Sequence, residues 1–189
     1  MGFIYRPRHQ YQLGPGSGPT GGYDCTAYSA AMSIDRATLG GTLATGRQVR
    51  LASSEPVPDR ASPGLNLNQV INVAYKWHVD LEQRTGAPWS SVMAALKGGR
   101  GVILQGDADQ LPPGINGQIG FKGDHAVYVN HVTGDGDLYW MDPLRKAGAL
   151  EVKEEIARAY AEKFARATGT YPGIRFATTR VTPTIAVAQ

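Results

Sequence analysis

The chain contains a single cysteine, Cys25, in the stretch Tyr23-Asp24-Cys25-Thr26-Ala27-Tyr28-Ser29-Ala30-Ala31-Met32, which predicts a buried helix starting at the cysteine. The first turn of a helix leaves backbone N–H groups unpaired and carries the positive end of the macrodipole. A thiol placed there ionises below its free value near 8.5, more so beside an imidazolium. Gly21 and Gly22 permit a tight approach to the helix, and Asp24 is expected to cap it through its carboxylate. The alanines that follow, with Met32 and Ile34 at helical spacing, suit a helix packed on most sides. A lone cysteine among small apolar residues also reads as a packing residue, so a nucleophile needs partners elsewhere.

Two residues supply them. His125 opens the strand-like run Ala126-Val127-Tyr128-Val129-Asn130-His131, and Asp142 closes Leu138-Tyr139-Trp140-Met141, just before Pro143. Thr133-Gly134-Asp135-Gly136-Asp137 between the runs has the composition of a hairpin turn. Antiparallel pairing then brings the start of one strand beside the end of the other, so His125 and Asp142 become neighbours. Cysteine, histidine and aspartate so related are a nucleophile, a general base and the acceptor that fixes the imidazole tautomer. Singly, His125 could bond a backbone carbonyl and Asp142 could begin a turn. Together they make a thiol-hydrolase constellation. His9, His78 and His131 have no equivalent set of partners.

The elements that must position these residues follow from the periodicity. Residues 1–22 carry Pro7, Pro15, Pro19 and six glycines with no apolar period, and read as an extended arm. The Cys25 helix ends at Leu39-Gly40-Gly41. A short helical turn over 45–51, a loop over 52–63, a helix capped by Asn66 or Asn68 and running through Trp77, and a helix from Pro88 to Gly98-Gly99 come next. Gly101-Val102-Ile103-Leu104-Gln105 reads as a buried strand, and 106–123 as a surface loop over its edge. After the hairpin, 151–168 is an amphipathic helix, 174–181 a strand, and 182–189 a tail. Helices first and an antiparallel sheet second is the α+β class. The expected division is an arm over 1–22, one domain over 23–181 and a tail over 182–189.

The 189 residues are 42% hydrophobic, no apolar run approaches the length of a membrane span, and the formal charge is only +3 with scattered lysines and arginines. These features argue against a membrane protein and against nucleic-acid binding. The N-terminus has no signal-peptide pattern, so a cytoplasmic product is expected, and one cysteine forms no internal disulfide. Nothing calls for a metal or another cofactor.

The three motifs Tyr23-Asp24-Cys25-Thr26-Ala27, Gly123-Asp124-His125-Ala126-Val127-Tyr128-Val129 and Tyr139-Trp140-Met141-Asp142-Pro143-Leu144 resemble those of papain-like cysteine peptidases. Within that superfamily they are similar to the bacteriocin-leader, or double-glycine, peptidases; the resemblance covers roughly residues 20 to 145. It implies a papain-like fold with a helical half bearing Cys25 packed on a sheet half bearing His125 and Asp142. It also implies substrate in the cleft between them and hydrolysis of a peptide or amide through a thioester. One position departs from the pattern: where the family carries an oxyanion glutamine, about six residues before the cysteine, this chain has Pro19. The Cys25 N–H can supply one oxyanion donor, and Gln12, Gln105, Asn66 or Asn68 could supply a second. Two functions are compatible with these features. One is a hydrolase of peptides, including cell-wall peptides. The other is an interaction protein that keeps the fold inside a bacteriophage particle, with partners or a second copy holding the arm and tail. The glycine-rich composition also resembles that of proteins from phages of high-GC bacteria.

Overall fold

A computed structural model describes residues 4–18, 21–53, 64–117, 121–167 and 173–180. Pro19 and the tail over 182–189 lie outside the described residues. The helices are α1 (Cys25–Ala37), α2 (Gly46–Ala52), α3 (Leu67–Ala74), α4 (Trp89–Lys97) and α5 (Glu154–Ala167). The strands are β1 (Leu81–Ala87), β2 (Val102–Asp107), β3 (Asp124–Val132), β4 (Leu138–Met141), β5 (Leu150–Val152) and β6 (Ile174–Thr179). They form one antiparallel sheet in the order β1-β6-β2-β3-β4-β5.

Helices cover both faces of this sheet, which is why β2 and β3 read as nearly continuous apolar runs. Ile103, Ala126, Tyr128, Met141 and Ala177 pack against α1, α2 and α3. Leu104, Val127, Trp140 and Phe176, from the alternate positions, pack against α4 and α5. Each such large side chain contributes on the order of 1.5–3 kcal/mol by leaving water. Tyr160 of α5 sits over Gly106 of β2 so closely that a Cβ there would come 2.2 Å from its ring. The fold is α+β, with the Cys25 helix packed against an antiparallel sheet.

Several boundaries differ from the sequence reading. Strand β1 is absent from it because Leu-Glu-Gln-Arg-Thr-Gly-Ala alternates poorly. It is an edge strand, held by pairing with β6 from Leu81↔Thr179 to Arg84↔Phe176 and by a register shift before Ala87↔Ile174. Helix α5 starts at Glu154 because Leu150–Val152 is taken into the sheet beside β4. Helix α3 ends at Ala74, and a 3-10 turn reaches Trp77, closed by His78 in the left-handed region. Segment 106–123 is more than a surface loop: β2 extends through Asp107, a 3-10 turn spans Ala108–Gln110, and Gly117 and Phe121 turn toward the sheet end that carries His125.

Residues 4–18 lie across both halves of the domain. Asp35 of α1 accepts hydrogen bonds from the Tyr5 hydroxyl (3.2 Å) and the Arg8 N–H (2.7 Å). The Gln10 amide donates to the Ala44 carbonyl and accepts from the Gly46 N–H, both at 2.8 Å. On the sheet side, Asn130 donates to the Tyr5 carbonyl (3.0 Å), and the Arg6 guanidinium lies 4.8 Å from the ring centre of Tyr139.

Candidate active site

Cys25 is the first residue of α1, and the Asp24 carbonyl takes the first helical hydrogen bond, from the Tyr28 N–H at 2.9 Å. The Asp24 carboxylate does not cap the helix, contrary to expectation. It is fully buried and turned to Arg50 of α2 at 3.4 Å, because a guanidinium from the neighbouring helix is a stronger partner than an amide. The Asp24–Arg50 pair therefore fixes the approach to Cys25 rather than the helix end.

Cys25 is half-buried and lines a cleft. Burial pushes its pKa up, but the hydrogen bond and charge of His125, the Ala126 N–H and the Thr26 hydroxyl outweigh that and hold it below the ordinary value. Ser29, one turn further along α1, donates to the Ala126 carbonyl at 3.2 Å and ties the cysteine helix to the histidine strand.

His125 and Asp142 meet where β3 begins and β4 has ended, with Tyr128↔Met141 the last pair of the ladder on that side. His125 Nε2 donates to Asp142 Oδ1 at 2.7 Å, and both side chains are almost completely buried. The remaining nitrogen, Nδ1, makes no conventional hydrogen bond, and the His125 ring interacts with the Cys25 thiol. Burial lowers the His125 pKa, but the Asp142 carboxylate and Cys25 raise it to about 10. Burial likewise pushes Asp142 up, and the imidazolium together with the Leu144 and Gly117 N–H groups pulls it below the usual carboxylate range. Leu144 donates to Oδ1 at 2.8 Å and Gly117 to Oδ2 at 3.0 Å. Gly117 approaches so closely that a Cβ would come 2.8 Å from Oδ2 and 2.5 Å from the Arg145 nitrogen.

A cleft of about 330 Å³ opens on this group. Its walls include three of the four oxyanion candidates, Gln12, Asn66 and Gln105, which stand differently there. Asn66 is committed as a helix cap, its Oδ1 accepting the Gln69 N–H of α3 at 3.1 Å. Gln105 is half-buried on β2. Gln12 is 1% exposed, and its main-chain N–H is fixed to the Pro143 carbonyl at 2.9 Å. Asn68 is exposed on α3 and does not line the cleft. Leu65, Phe121, Asp124 and Arg175 complete much of the wall, the Phe121 ring meeting the His125 ring edge-on at 5.4 Å. Burial and Asp107 raise the Asp124 pKa, partly offset by Arg175.

Three residues of this neighbourhood carry no sequence signal. The Tyr160 hydroxyl of α5 donates to the His125 carbonyl at 2.7 Å. Gly117 reaches Asp142 from a loop, and His9 Nε2 lies 2.8 Å from the Asp142 carbonyl. All act through, or on, the backbone, which sequence pattern does not expose. Among the described residues no group of three His, Cys, Asp or Glu side chains could hold a metal ion, and no helix is long and apolar enough to cross a membrane.

No protein-family model matches the chain, and no curated protein matches it. Among solved structures, one described as a C39-like peptidase from Bacillus anthracis superposes with a TM-score of 0.62, covering 93% of this chain and 95% of the other at 13% sequence identity. The chain thus shares the fold of that protein over nearly its whole length.

Proposed function

We propose that the protein is a cysteine hydrolase that cleaves a peptide or amide bond, with Cys25 as nucleophile, His125 as general acid and base, Asp142 as its orienting acceptor and Gln12 as the side-chain donor to the oxyanion. The observation that carries the reading is the buried 2.7 Å contact of His125 Nε2 with Asp142 Oδ1, which leaves Nδ1 for a thiol at a helix N-terminus. The likeness to a C39-like peptidase supports it at the level of fold.

In this reading the Cys25 thiolate attacks the substrate carbonyl carbon and the carbonyl electron pair moves onto oxygen. The Cys25 N–H and the Gln12 amide stabilise that oxyanion, a contribution on the order of 10²–10³ in rate for one donor. The His125 imidazolium protonates the leaving nitrogen, which departs as an amine and leaves a thioester. Neutral His125 then takes a proton from water as its oxygen attacks the thioester, and the carboxylic acid leaves with return of the thiolate. Gln12 is preferred to Gln105 and Asn66 because it is buried in the cleft on an anchored backbone, whereas Asn66 already caps α3. Asp124 and Arg175 in the wall suit a polar, charged peptide, and cell-wall stem peptides are the first class to test.

The test exposes the wild type and Cys25→Ala to two pools, proteome-derived peptides and soluble muropeptides, and reads new termini by mass spectrometry. New termini made only by the wild type are expected. Cleavage that persists in Cys25→Ala would overturn the assignment, as would a wild type that neither cleaves a pool nor is labelled at Cys25 by a peptidyl acyloxymethyl ketone.

A further inference from the structure

Asp142 stands outside the regular ladder. Pro143 after it has no N–H, and the chain turns at once, with Arg145 donating to the Asp142 carbonyl at 2.9 Å. The orientation of its carboxylate therefore depends on how this turn is held. On its outer side two successive carbonyls, those of Asp142 and Pro143, are taken by the N-terminal arm: His9 Nε2 lies 2.8 Å from the first, and the Gln12 N–H donates to the second at 2.9 Å. A carbonyl only accepts, so the His9 tautomer has its proton on Nε2. Burial keeps the His9 pKa below the ordinary value, so the ring is neutral and the tautomer persists at neutral pH.

We propose that His9 is a positioning residue of the hydrolytic site, holding the main chain of Asp142 from the arm so that the Asp142 carboxylate meets His125 in the productive geometry. This rests on the reading of Cys25, His125 and Asp142 as a hydrolase. It follows that one short stretch, residues 9–12, sets both sides of the reaction: His9 fixes the acceptor behind the imidazole, and Gln12, three residues on, reaches the oxyanion side of the same cleft. The arm is anchored independently by Asp35, Ala44 and Gly46 on the helical half and by Asn130 and Tyr139 on the sheet half. Loss of the His9 bond alone thus loosens Asp142 without releasing the arm. Displacements of about 1 Å in catalytic groups cost up to 10²-fold in rate, so a reduction of about ten- to a hundredfold is the expected scale.

The experiment follows alkylation of Cys25 by iodoacetamide at pH 5.5 in the wild type, His9→Phe, His9→Gln and Arg6→Ala, with thermal unfolding of each. Phenylalanine fills the space of the ring without a donor, glutamine restores an N–H at similar reach, and Arg6→Ala weakens arm docking without touching Asp142. The expected result is labelling at least about tenfold slower in His9→Phe, recovery to within about threefold in His9→Gln, and a wild-type rate in Arg6→Ala. Equal loss in His9→Phe and His9→Gln would overturn the inference, as would equal loss in His9→Phe and Arg6→Ala, or no loss in His9→Phe. Slow labelling in the wild type itself would instead refute the hydrolase reading, which keeps the two failures distinct. Should His9→Phe fail to fold, His9→Gln against His9→Ala at pH 5.5 decides the same question.

Discussion

Replacing Asp142 by asparagine keeps the shape and removes the charge, and its consequences follow from three contacts. Asp142 is fully buried and accepts from His125 Nε2, the Leu144 N–H and the Gly117 N–H at 2.7, 2.8 and 3.0 Å. An asparagine has one acceptor oxygen, so its NH₂ must face at least one of these donors. A buried donor left without an acceptor costs about 1–3 kcal/mol, or roughly 2–12 °C in melting temperature for a chain of this size. The charge adds a pH-dependent part. The folded imidazolium persists to about pH 10, whereas an unfolded histidine loses its proton near pH 6.5, so its contribution is complete below about pH 6.5 and fades as pH rises to about 10. The lowered Cys25 thiol works in the opposite sense, contributing above the ordinary thiol value near 8.5 and losing that contribution as pH falls. Above about pH 8.5 the thiolate contribution is complete while that of the imidazolium still declines, so stability falls there as pH rises toward 10. Asp142→Asn removes the charge that sustains the imidazolium, so the stability gap between wild type and variant should be fully developed at pH 5 and narrow as pH rises through 7.5 to 10. Urea melts at pH 5, 7.5 and 10 measure it. Equal stability at pH 7.5, or a gap that widens steadily toward pH 10, would refute the reasoning.

Gln12→Ala should lower kcat by about 10²–10³ with little change in KM, since the oxyanion exists only along the reaction path; a matching loss in Gln105→Ala and none in Gln12→Ala would move the donor to β2. Gly106→Ala inserts a Cβ 2.2 Å from the Tyr160 ring and should destabilise the fold by about 1–3 kcal/mol in urea titrations. Arg50→Met leaves the buried Asp24 carboxylate without its guanidinium and should cost about 3–5 kcal/mol, whereas a neutral outcome would show that the pair is dispensable. Cys25→Ala should melt within about 1 kcal/mol of the wild type, because the thiol faces a cleft and its removal leaves no sealed cavity.

Much of the fold was legible because its strongest signals are local. The alanine-rich run after Cys25, the glycine-bounded run at 101–105 and the apolar run at 126–131 have clear punctuation. The hairpin composition at 133–137 is enough to bring His125 toward Asp142. Strand β1 was not legible, since an edge strand with exposed central residues is specified by its partner β6 rather than by its own alternation. The supports of the site were hidden for a related reason. Tyr160 and His9 act on the carbonyls of His125 and Asp142, and any side chain able to donate would look the same in sequence. Asp24 shows the opposite error: a residue with good capping chemistry is diverted when a buried arginine from α2 comes within reach. The proposed oxyanion donor, Gln12, stands 13 residues before Cys25 rather than about six, so spacing alone does not distinguish it from Gln105 or Asn66.

The pair of Cys25 and His125 is the centre of this account, and its state can be measured without a substrate. The rate of Cys25 alkylation by iodoacetamide is followed from pH 4 to 9 in the wild type and in His125→Ala. An isolated thiol reacts appreciably only near its free value of about 8.5, whereas a thiolate held by an imidazolium already reacts at about pH 5–6. The account predicts fast labelling at pH 5–6 that disappears in His125→Ala. Labelling of the wild type that rises only near pH 8.5, with His125→Ala following the same curve, would contradict it and make Cys25 a packing residue at the mouth of a cleft.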